Sequence, residues 1–372
     1  MNKETFFGII IKTLFLREVL DMLTDVEMRQ ITRKLRRFCD TLDGMIFTPC
    51  FALKARRFET EKQYHSIPEN ETYIPTEPGD IWGGEGVYSW FRSEFEVPAE
   101  LDGKDLYLRP EMGGYEAMLW VNGQAMGTYA TKIVVTTHGN HYCDMICQKA
   151  AAGDKVEIAL EFYAGHYIIG EQPFETRPHG DFRVAYKTMD VCVKNDLVAD
   201  FLFDLKVLLG LYEALDDRSF RRADLANMFA KLYKNVWMSP DDVSRERFME
   251  ALSKVREIMA VELAKTNNGT AMPHVGLIGH SHMDTAWLWP IKETVKKCAR
   301  TYSNQLNLMR QYPEYKFVQS SSYHSEMIRE NYPELFERIR EKVAEGRYEP
   351  NGGVWVECDC NITGGESMIR QF

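Results

Sequence analysis

The sequence predicts a multidomain protein: an antiparallel β-sandwich, a helical connector, then the first strands and helices of a parallel α/β domain. Three observations carry this prediction. Between 46 and 195 apolar residues alternate with charged ones at the period of a half-buried strand, and turn signals recur roughly every ten residues. Between 196 and 265 the apolar spacing lengthens to that of a helix. After 273, short apolar runs alternate with amphipathic stretches, the strand–helix–strand order of a parallel sheet with right-handed crossovers. The 372 residues allow two or three domains, and 45% hydrophobic with 27% charged residues excludes a disordered chain. A net charge of -10 argues against nucleic acid as a partner, because phosphate binding needs a positive surface to release counterions.

The chain opens with an apolar run from Phe6 to Leu16 that is too short to span a bilayer and is broken by Lys12. Glu4 precedes it and no small-residue cleavage site comes after it, so neither a secretory signal nor a membrane partner is expected. Met22 offers an alternative start, with residues 1–21 then an extension. Thr24-Asp25-Val26-Glu27 has the form of a capping box opening a helix over 24–43, with Met28, Ile31, Leu35 and Phe38 on one face. Arg29, Arg33, Lys34, Arg36 and Arg37 cover the rest and read as a solvated face. The eight Cys form no pattern. Cys143-x-x-x-Cys147 and Cys358-Asp-Cys360 lack a second ligand pair for structural zinc, so reduced thiols in a cytoplasmic protein are expected. The triplets Asn70-Glu-Thr and Asn361-Ile-Thr carry no meaning without secretion.

In the sandwich, Phe91, Phe95 and Val97 alternate with Arg92, Glu94 and Glu96, and Val156, Ile158, Leu160 and Phe162 alternate with Glu157 and Glu161. Ala117 to Val121 runs into Asn122-Gly123, a type I′ hairpin signal. In the connector, Leu197, Phe201, Leu205, Leu208 and Tyr212 form one stripe and Phe248, Leu252, Val255 and Met259 another. Ser239-Pro240-Asp241 is expected to open the second of these helices, and Thr266 to Gly269 reads as a linker. Beyond it, strands are expected at Val275–Ile278, Phe317–Val318 and Tyr348–Val356. Helices are expected over 291–311 (Val295, Ala299, Tyr302, Leu306, Met309) and over 323–345, broken at Pro333. The boundaries are therefore 1–45, 46–195, 196–272 and 273–372.

Parallel sheets place their sites at the carboxyl ends of strands, which directs attention to the segment after Ile278. There stands Gly279-His280-Ser281-His282-Met283-Asp284-Thr285-Ala286-Trp287-Leu288-Trp289. In an extended segment His280, His282 and Asp284 share one side, and imidazole with carboxylate suits a divalent ion, zinc above all. An indole such as Trp287 or Trp289 can stack on a sugar ring. The competing reading makes the histidines ordinary hydrogen-bonded residues and the Trp pair packing.

Gly-His-Ser-His-x-Asp-Thr-Ala-Trp-Leu-Trp-Pro resembles the metal-binding start of the catalytic domain in glycoside hydrolase family 38, the α-mannosidases. The resemblance continues through Glu293-Thr-Val-x-Lys-Cys-Ala-Arg300, Phe317-Val-Gln-Ser320, Tyr332-Pro-Glu-Leu-Phe-Glu-Arg338 and Gly346-Arg-Tyr-Glu-Pro350. It closes with Gly352-Gly-Val-Trp-Val-Glu357, Asp359-Cys-Asn361 and Gly365-Glu-Ser-x-x-Arg-Gln371. The sandwich is similar to the domain that precedes the catalytic domain in the cytosolic and bacterial branch, and Trp90-Phe-Arg92 and Leu119-Trp-Val-Asn-Gly123 look like strands of carbohydrate-associated jelly rolls.

The resemblance implies an exo-acting, retaining, zinc-dependent enzyme that removes terminal α-linked mannose from oligosaccharides, with a barrel-like catalytic domain. By position His282 and Asp284 would be metal ligands and Trp287 would line the mannose pocket. His280 would sit behind the ligands and orient them. Asp359 is a further candidate for substrate binding, and Glu357 lies near it. Zinc would grip the sugar's vicinal hydroxyls, an Asp nucleophile would form a glycosyl-enzyme, and a second carboxylic acid would serve as acid and base. No Asp here matches the family's nucleophile motif, which is expected downstream of Phe372. The chain is thus expected to be an amino-terminal fragment ending inside the catalytic domain and inactive alone, with homo-oligomerisation open. Three other readings compete, one of them a purely structural or assembly role for the sandwich and helices. An amidohydrolase-like hydrolase would use both His280 and His282 as ligands, and a non-catalytic carbohydrate-binding module would rely on residues 46–195.

Overall fold

A computed structural model of the chain describes residues 24–130, 143–165, 181–265, 275–287 and 289–372. The Phe6–Leu16 run, Met22 and the Thr266–Gly269 linker lie outside the described residues. The chain divides into two compact units, one joining Met1–Thr48 to Lys194–His274 and the other joining Pro49–Val193 to Val275–Phe372. The four successive segments read from the sequence thus fold as two units, each assembled from two stretches.

The first unit is helical. Helix α1 (Asp25–Asp43) starts at the expected capping box: Thr24 Oγ1 accepts from Glu27 N at 3.3 Å, and the Glu27 carboxylate accepts from Thr24 N at 2.8 Å. Its buried stripe, Met28, Ile31, Leu35, Phe38 and Leu42, packs with α2 (Asp196–Ala214), α3 (Phe220–Asn235) and α4 (Arg245–Leu263) in one apolar cluster. The five basic residues of α1 are exposed, as expected. The start of α4 differs from expectation. Pro240–Asp242 forms an isolated 3₁₀ turn, Val243 is extended, and Ser244 caps the helix by accepting from Arg247 N at 3.4 Å. An extended residue between the two serines breaks the helical path, so the second serine is the cap.

The second unit contains the sandwich. One sheet has the order β1-β12-β6-β9 (Phe47–Ala52, Thr188–Lys194, Leu106–Glu111, Asp144–Cys147). The other has the order β3-β2-β5-β10-β7-β8 (Ile74–Thr76, Ala55–Thr60, Tyr88–Glu96, Lys155–Tyr163, Glu116–Val121, Gln124–Ala130). A short ribbon pairs β4 (Ile81–Gly83) with β11 (Arg183–Ala185). The Asn122-Gly123 hairpin joins β7 to β8 with φ of 50° and 79°, the left-handed pair that a type I′ turn requires. Phe91, Leu119, Ile158, Leu160 and Phe162 face inward and bury with Trp82 and Leu108.

The six-stranded sheet is also buried on its outer face. Trp90, Met118, Trp120 and Ala159 pack there against α5 (Ile291–Gln311), sharing one cluster with Cys298, Tyr302, Leu306, Phe317 and Tyr348. Helix α5 brings buried polar groups to this seam. Lys296 Nζ lies 2.6 Å from Glu161 Oε1 and also donates to the Tyr64 carbonyl, while Glu116 accepts from Lys297 at 2.9 Å and pairs with Arg300 at 2.8 Å. Glu293 accepts from Tyr88 and Gln63.

Burial alone would raise the Glu116 carboxyl, yet the Arg300 and Lys297 charges outweigh it and hold the pKa at about 2, below its ordinary 4.5. A depressed carboxylate stabilises the fold above its unfolded pKa and loses that contribution as pH falls through the folded value. Roughly 3 kcal/mol is therefore expected to vanish between pH 4.5 and about 2. Urea unfolding at pH 5 and pH 2.5 should show a drop that Glu116→Gln flattens; an equal drop in both proteins contradicts the assignment.

The α/β part has three parallel strands in the order β13-β14-β15 (Gly279–His280, Phe317–Gln319, Tyr348–Pro350), with α6 (Ser322–Asn331), α7 (Pro333–Ala344) and α8 (Gly365–Ile369). The helical break at Pro333 falls where expected. Among the described residues the sheet is open and forms no closed barrel. Two strands differ from expectation: the first lies at Gly279–His280, beyond the expected Val275–Ile278, and the third is shorter. Val275, Leu277 and Ile278 are exposed and outside the ladder, because pairing begins only at Gly279 opposite Phe317. The third strand ends at Pro350 rather than Val356, since proline has no N–H to donate and Gly352, at φ 120°, turns the chain away. No helix among the described residues is long and apolar enough to cross a membrane.

Candidate active site

The ends of all three parallel strands meet at a pocket of about 150 Å³ whose walls include Asp284, Thr285, Gln319, Ser320, His324 and Glu357. The first strand delivers His282 and Asp284, with His282 Nε2 3.4 Å from Asp284 Oδ1. The other ring nitrogen, Nδ1, lies 3.4 Å from Glu357 Oε2, and Glu357 Oε1 accepts from Ser320 Oγ at 2.9 Å. The imidazole therefore stands between two carboxylates, one from its own loop and one from the segment after β15. Its side chain is 62% exposed and that of Asp284 43%, so both are open to a ligand.

Of the sequence-predicted residues, His282 and Asp284 are brought together at the pocket. His280 is exposed on β13, with no hydrogen bond or ion pair to either. Trp287 is 64% exposed and meets Trp289 edge-on at 5.4 Å. Trp289 is tied down: its Nε1 donates to Thr294 Oγ1 at 3.2 Å, Lys297 sits 4.8 Å over its ring, and the Thr294 hydroxyl donates to the Thr285 carbonyl. The first turn of α5 thus holds the loop that carries Asp284. Asp359 is exposed and accepts from Asn361 N at 2.8 Å, the bond of a local turn.

Sequence reasoning missed His324, Gln319 and Ser320. His324 is 1% exposed, with Nε2 3.0 Å from Thr285 Oγ1 and Nδ1 3.3 Å from Gln319 Nε2. Burial pushes its pKa down to about 4, against the raising effect of Glu357, so the ring is neutral at pH 7 and braces the Asp284 loop through Thr285. One signal was available: Gln319-Ser320-Ser321 stands at the carboxyl end of the middle strand, where the strand-end rule points. A second aromatic platform is formed by Trp355, 44% exposed, and Tyr323, with centroids 5.1 Å apart and planes 31° apart.

Glu357 is placed by a close approach. Ser321 Oγ and Tyr323 N donate to the Trp355 carbonyl at 3.1 and 2.9 Å, and a Cβ at Gly352 would meet the Ser320 carbonyl oxygen at 2.9 Å. Gly352→Ala therefore meets both a backbone clash and a left-handed φ. It is expected to cost about 1–3 kcal/mol and to displace Glu357. Urea unfolding together with the His282 ring NMR shifts checks this, and a variant with unchanged stability and shifts contradicts it.

An imidazole nitrogen and a carboxylate oxygen 3.4 Å apart at an open strand end suit a divalent cation in kind. In number they are two, and among the described residues no group of three His, Cys, Asp or Glu side chains is arranged to hold a metal.

Residues 272–372 match the glycosyl hydrolases family 38 N-terminal domain. Alpha-mannosidase 2C1 of Homo sapiens is 30% identical over 309 residues, 81% of this chain and 28% of that protein. Alpha-mannosidase G of Dictyostelium discoideum is 28% identical over 81% of this chain and 27% of its own length. An alpha-mannosidase of Saccharomyces cerevisiae is 46% identical over 96 residues, 26% of this chain and 9% of its own. The chain spans less than a third of the length of the curated relatives it matches: 27%, 31% and 28% for the first three. A solved β-glucuronidase from Ruminococcus gnavus overlaps 40% of this chain and 29% of its own, with 12% identity and a TM-score of 0.26, too slight a likeness to bear on fold.

Proposed function

This chain belongs to glycoside hydrolase family 38, and we propose from that premise that its pocket recognises the terminal mannose of α-linked oligosaccharides for retaining, exo-acting hydrolysis. The observation that carries the reading is the His282–Asp284 pair at a strand-end pocket that Asp284 itself lines; Trp287, exposed, follows three residues later on the same loop. His282 and Asp284 would hold a divalent ion, zinc by donor type. When bound, such an ion supplies a Lewis-acidic grip on vicinal hydroxyls. Trp287 offers a flat apolar face to the sugar ring. The neutral His324, through Thr285, keeps the Asp284 loop in place.

Retention calls on a carboxylate pair about 5–5.5 Å apart across the glycosidic bond. Asp284 is committed to the ion in this reading, and Glu357 is already engaged by Ser320 and His282. The 372-residue chain by itself is accordingly proposed to bind zinc weakly and to turn over aryl α-mannosides poorly. Robust hydrolysis by the purified chain would refute that part. The eight free thiols support a reducing, cytoplasmic setting. The rival reading of the sandwich as a sugar-binding module is disfavoured because α5 already takes up the outer face of the six-stranded sheet.

Saturation-transfer NMR with methyl glycosides tests the reading. Methyl α-mannoside is expected to receive magnetisation in the presence of zinc, methyl α-galactoside not, and Trp287→Ala is expected to weaken mannoside binding about tenfold. Equal transfer to both sugars, or a Trp287→Ala protein that binds as well as the parent, overturns it.

A further inference from the structure

The imidazole of His282 faces a carboxylate on each side, Asp284 on Nε2 and Glu357 on Nδ1, both at 3.4 Å. A neutral imidazole carries one proton and can donate to only one of them. The two carboxylates are not equivalent. Glu357 already accepts from Ser320 Oγ at 2.9 Å and so has one oxygen fixed, whereas Asp284 has no other hydrogen-bond or ion-pair partner among the described residues. The participants also arrive from three strand ends: His282 and Asp284 after β13, Ser320 after β14 and Glu357 after β15. The first two share a loop, and Asp284 and Glu357 both line the pocket, with side chains 43% and 52% exposed.

We propose that Glu357, itself held by Ser320, is a positioning residue for His282: it accepts a hydrogen bond from Nδ1–H and turns the Nε2 lone pair, together with Asp284, toward a divalent cation. This rests on the metal-binding reading of the pocket and adds a residue to it. The physical reason is general: a ligating histidine must be deprotonated on the nitrogen that meets the ion, and an acceptor on the other nitrogen fixes both tautomer and ring orientation. Glu357 and Ser320 supply that acceptor and its support. The reverse arrangement, with the ion between Nδ1 and Glu357, would set the Ser320 hydroxyl donor against a ligating carboxylate and leave Asp284 as the orienting group with nothing to hold it.

Two measurements on the 372-residue chain test this: zinc affinity by equilibrium dialysis, and the His282 tautomer by ¹⁵N–¹H correlation of the ring nitrogens. The parent is expected to carry its ring proton on Nδ1. Glu357→Ala is expected to weaken zinc binding about 10- to 100-fold and to release the tautomer preference, with the far-UV CD spectrum unchanged. Glu357→Gln, whose amide oxygen can still accept a hydrogen bond from Nδ1–H, is expected to stay within a few-fold of the parent. Zinc affinity unchanged in Glu357→Ala overturns the proposal, as does a Glu357→Gln protein that loses zinc as fully as the alanine variant, because a ligating carboxylate behaves that way. A parent that binds no zinc, or a His282→Ala protein that binds it undiminished, instead removes the metal-binding reading on which the proposal stands.

Discussion

Replacing Lys296 by alanine is expected to cost the sandwich-containing unit about 3–5 kcal/mol of unfolding free energy, because it removes the cation in contact with the buried Glu161 carboxylate and leaves only the more indirect pull of Arg300. Both side chains are at most 1% exposed and lie 2.6 Å apart, on facing surfaces of α5 and β10. The pair is no simple stabiliser. Burial raises the Glu161 pKa and lowers that of Lys296, in each case against the pull of the partner charge, so desolvation outweighs attraction on both sides. The double replacement Glu161→Leu with Lys296→Met should accordingly cost less than Lys296→Ala alone. Its role is then positional: it fixes where α5 lies on the sheet, and α5 in turn holds the pocket loop through Thr294. Urea unfolding followed by tryptophan fluorescence measures both variants. A loss below about 1 kcal/mol for Lys296→Ala would mean that water reaches Glu161 and the seam is not closed.

Phe38→Ala is expected to destabilise the helical unit by about 3–5 kcal/mol. The ring is 1% exposed and meets Phe201 and Phe248 edge-on, each at 6.2 Å, so one residue of α1 touches the central aromatics of α2 and α4. Edge-to-face pairs add about 0.5–1.5 kcal/mol beyond their buried area. Thermal unfolding followed at 222 nm would detect the loss. A melting temperature within a degree of the parent would show that residues 24–43 are a mere appendage, as the linear division of the sequence had them.

Much of the fold was legible because its signals are local. The capping box at Thr24, the Asn122-Gly123 turn and the inward alternation of Phe91, Leu160 and Phe162 each act within a few residues, and each is where the sequence put it. The grouping of segments was not legible. An amphipathic helix such as α1 announces an apolar face without saying which face covers it, and α5 carries both an apolar stripe and a stripe of Glu293, Lys296 and Arg300 whose partners lie on β5, β7 and β10. Strand ends were misjudged where the backbone overrides apolar patterning, at Pro350 and Gly352. In the pocket, His282 and Asp284 could be found because alternation along one segment brings them together. Ser320 and His324 join them only through strand order, which no local pattern encodes.

The functional reading stands or falls on whether His282 and Asp284, and not His280, form the cation-binding end of the pocket. Equilibrium dialysis of zinc against the 372-residue chain and its His280→Ala, His282→Ala and Asp284→Ala variants decides between them. One ion per chain is expected for the parent and for His280→Ala, with affinity falling by at least about 100-fold in each of the other two. Binding that needs His280 but survives Asp284→Ala would be the behaviour of a His-x-His metal site and would contradict this assignment.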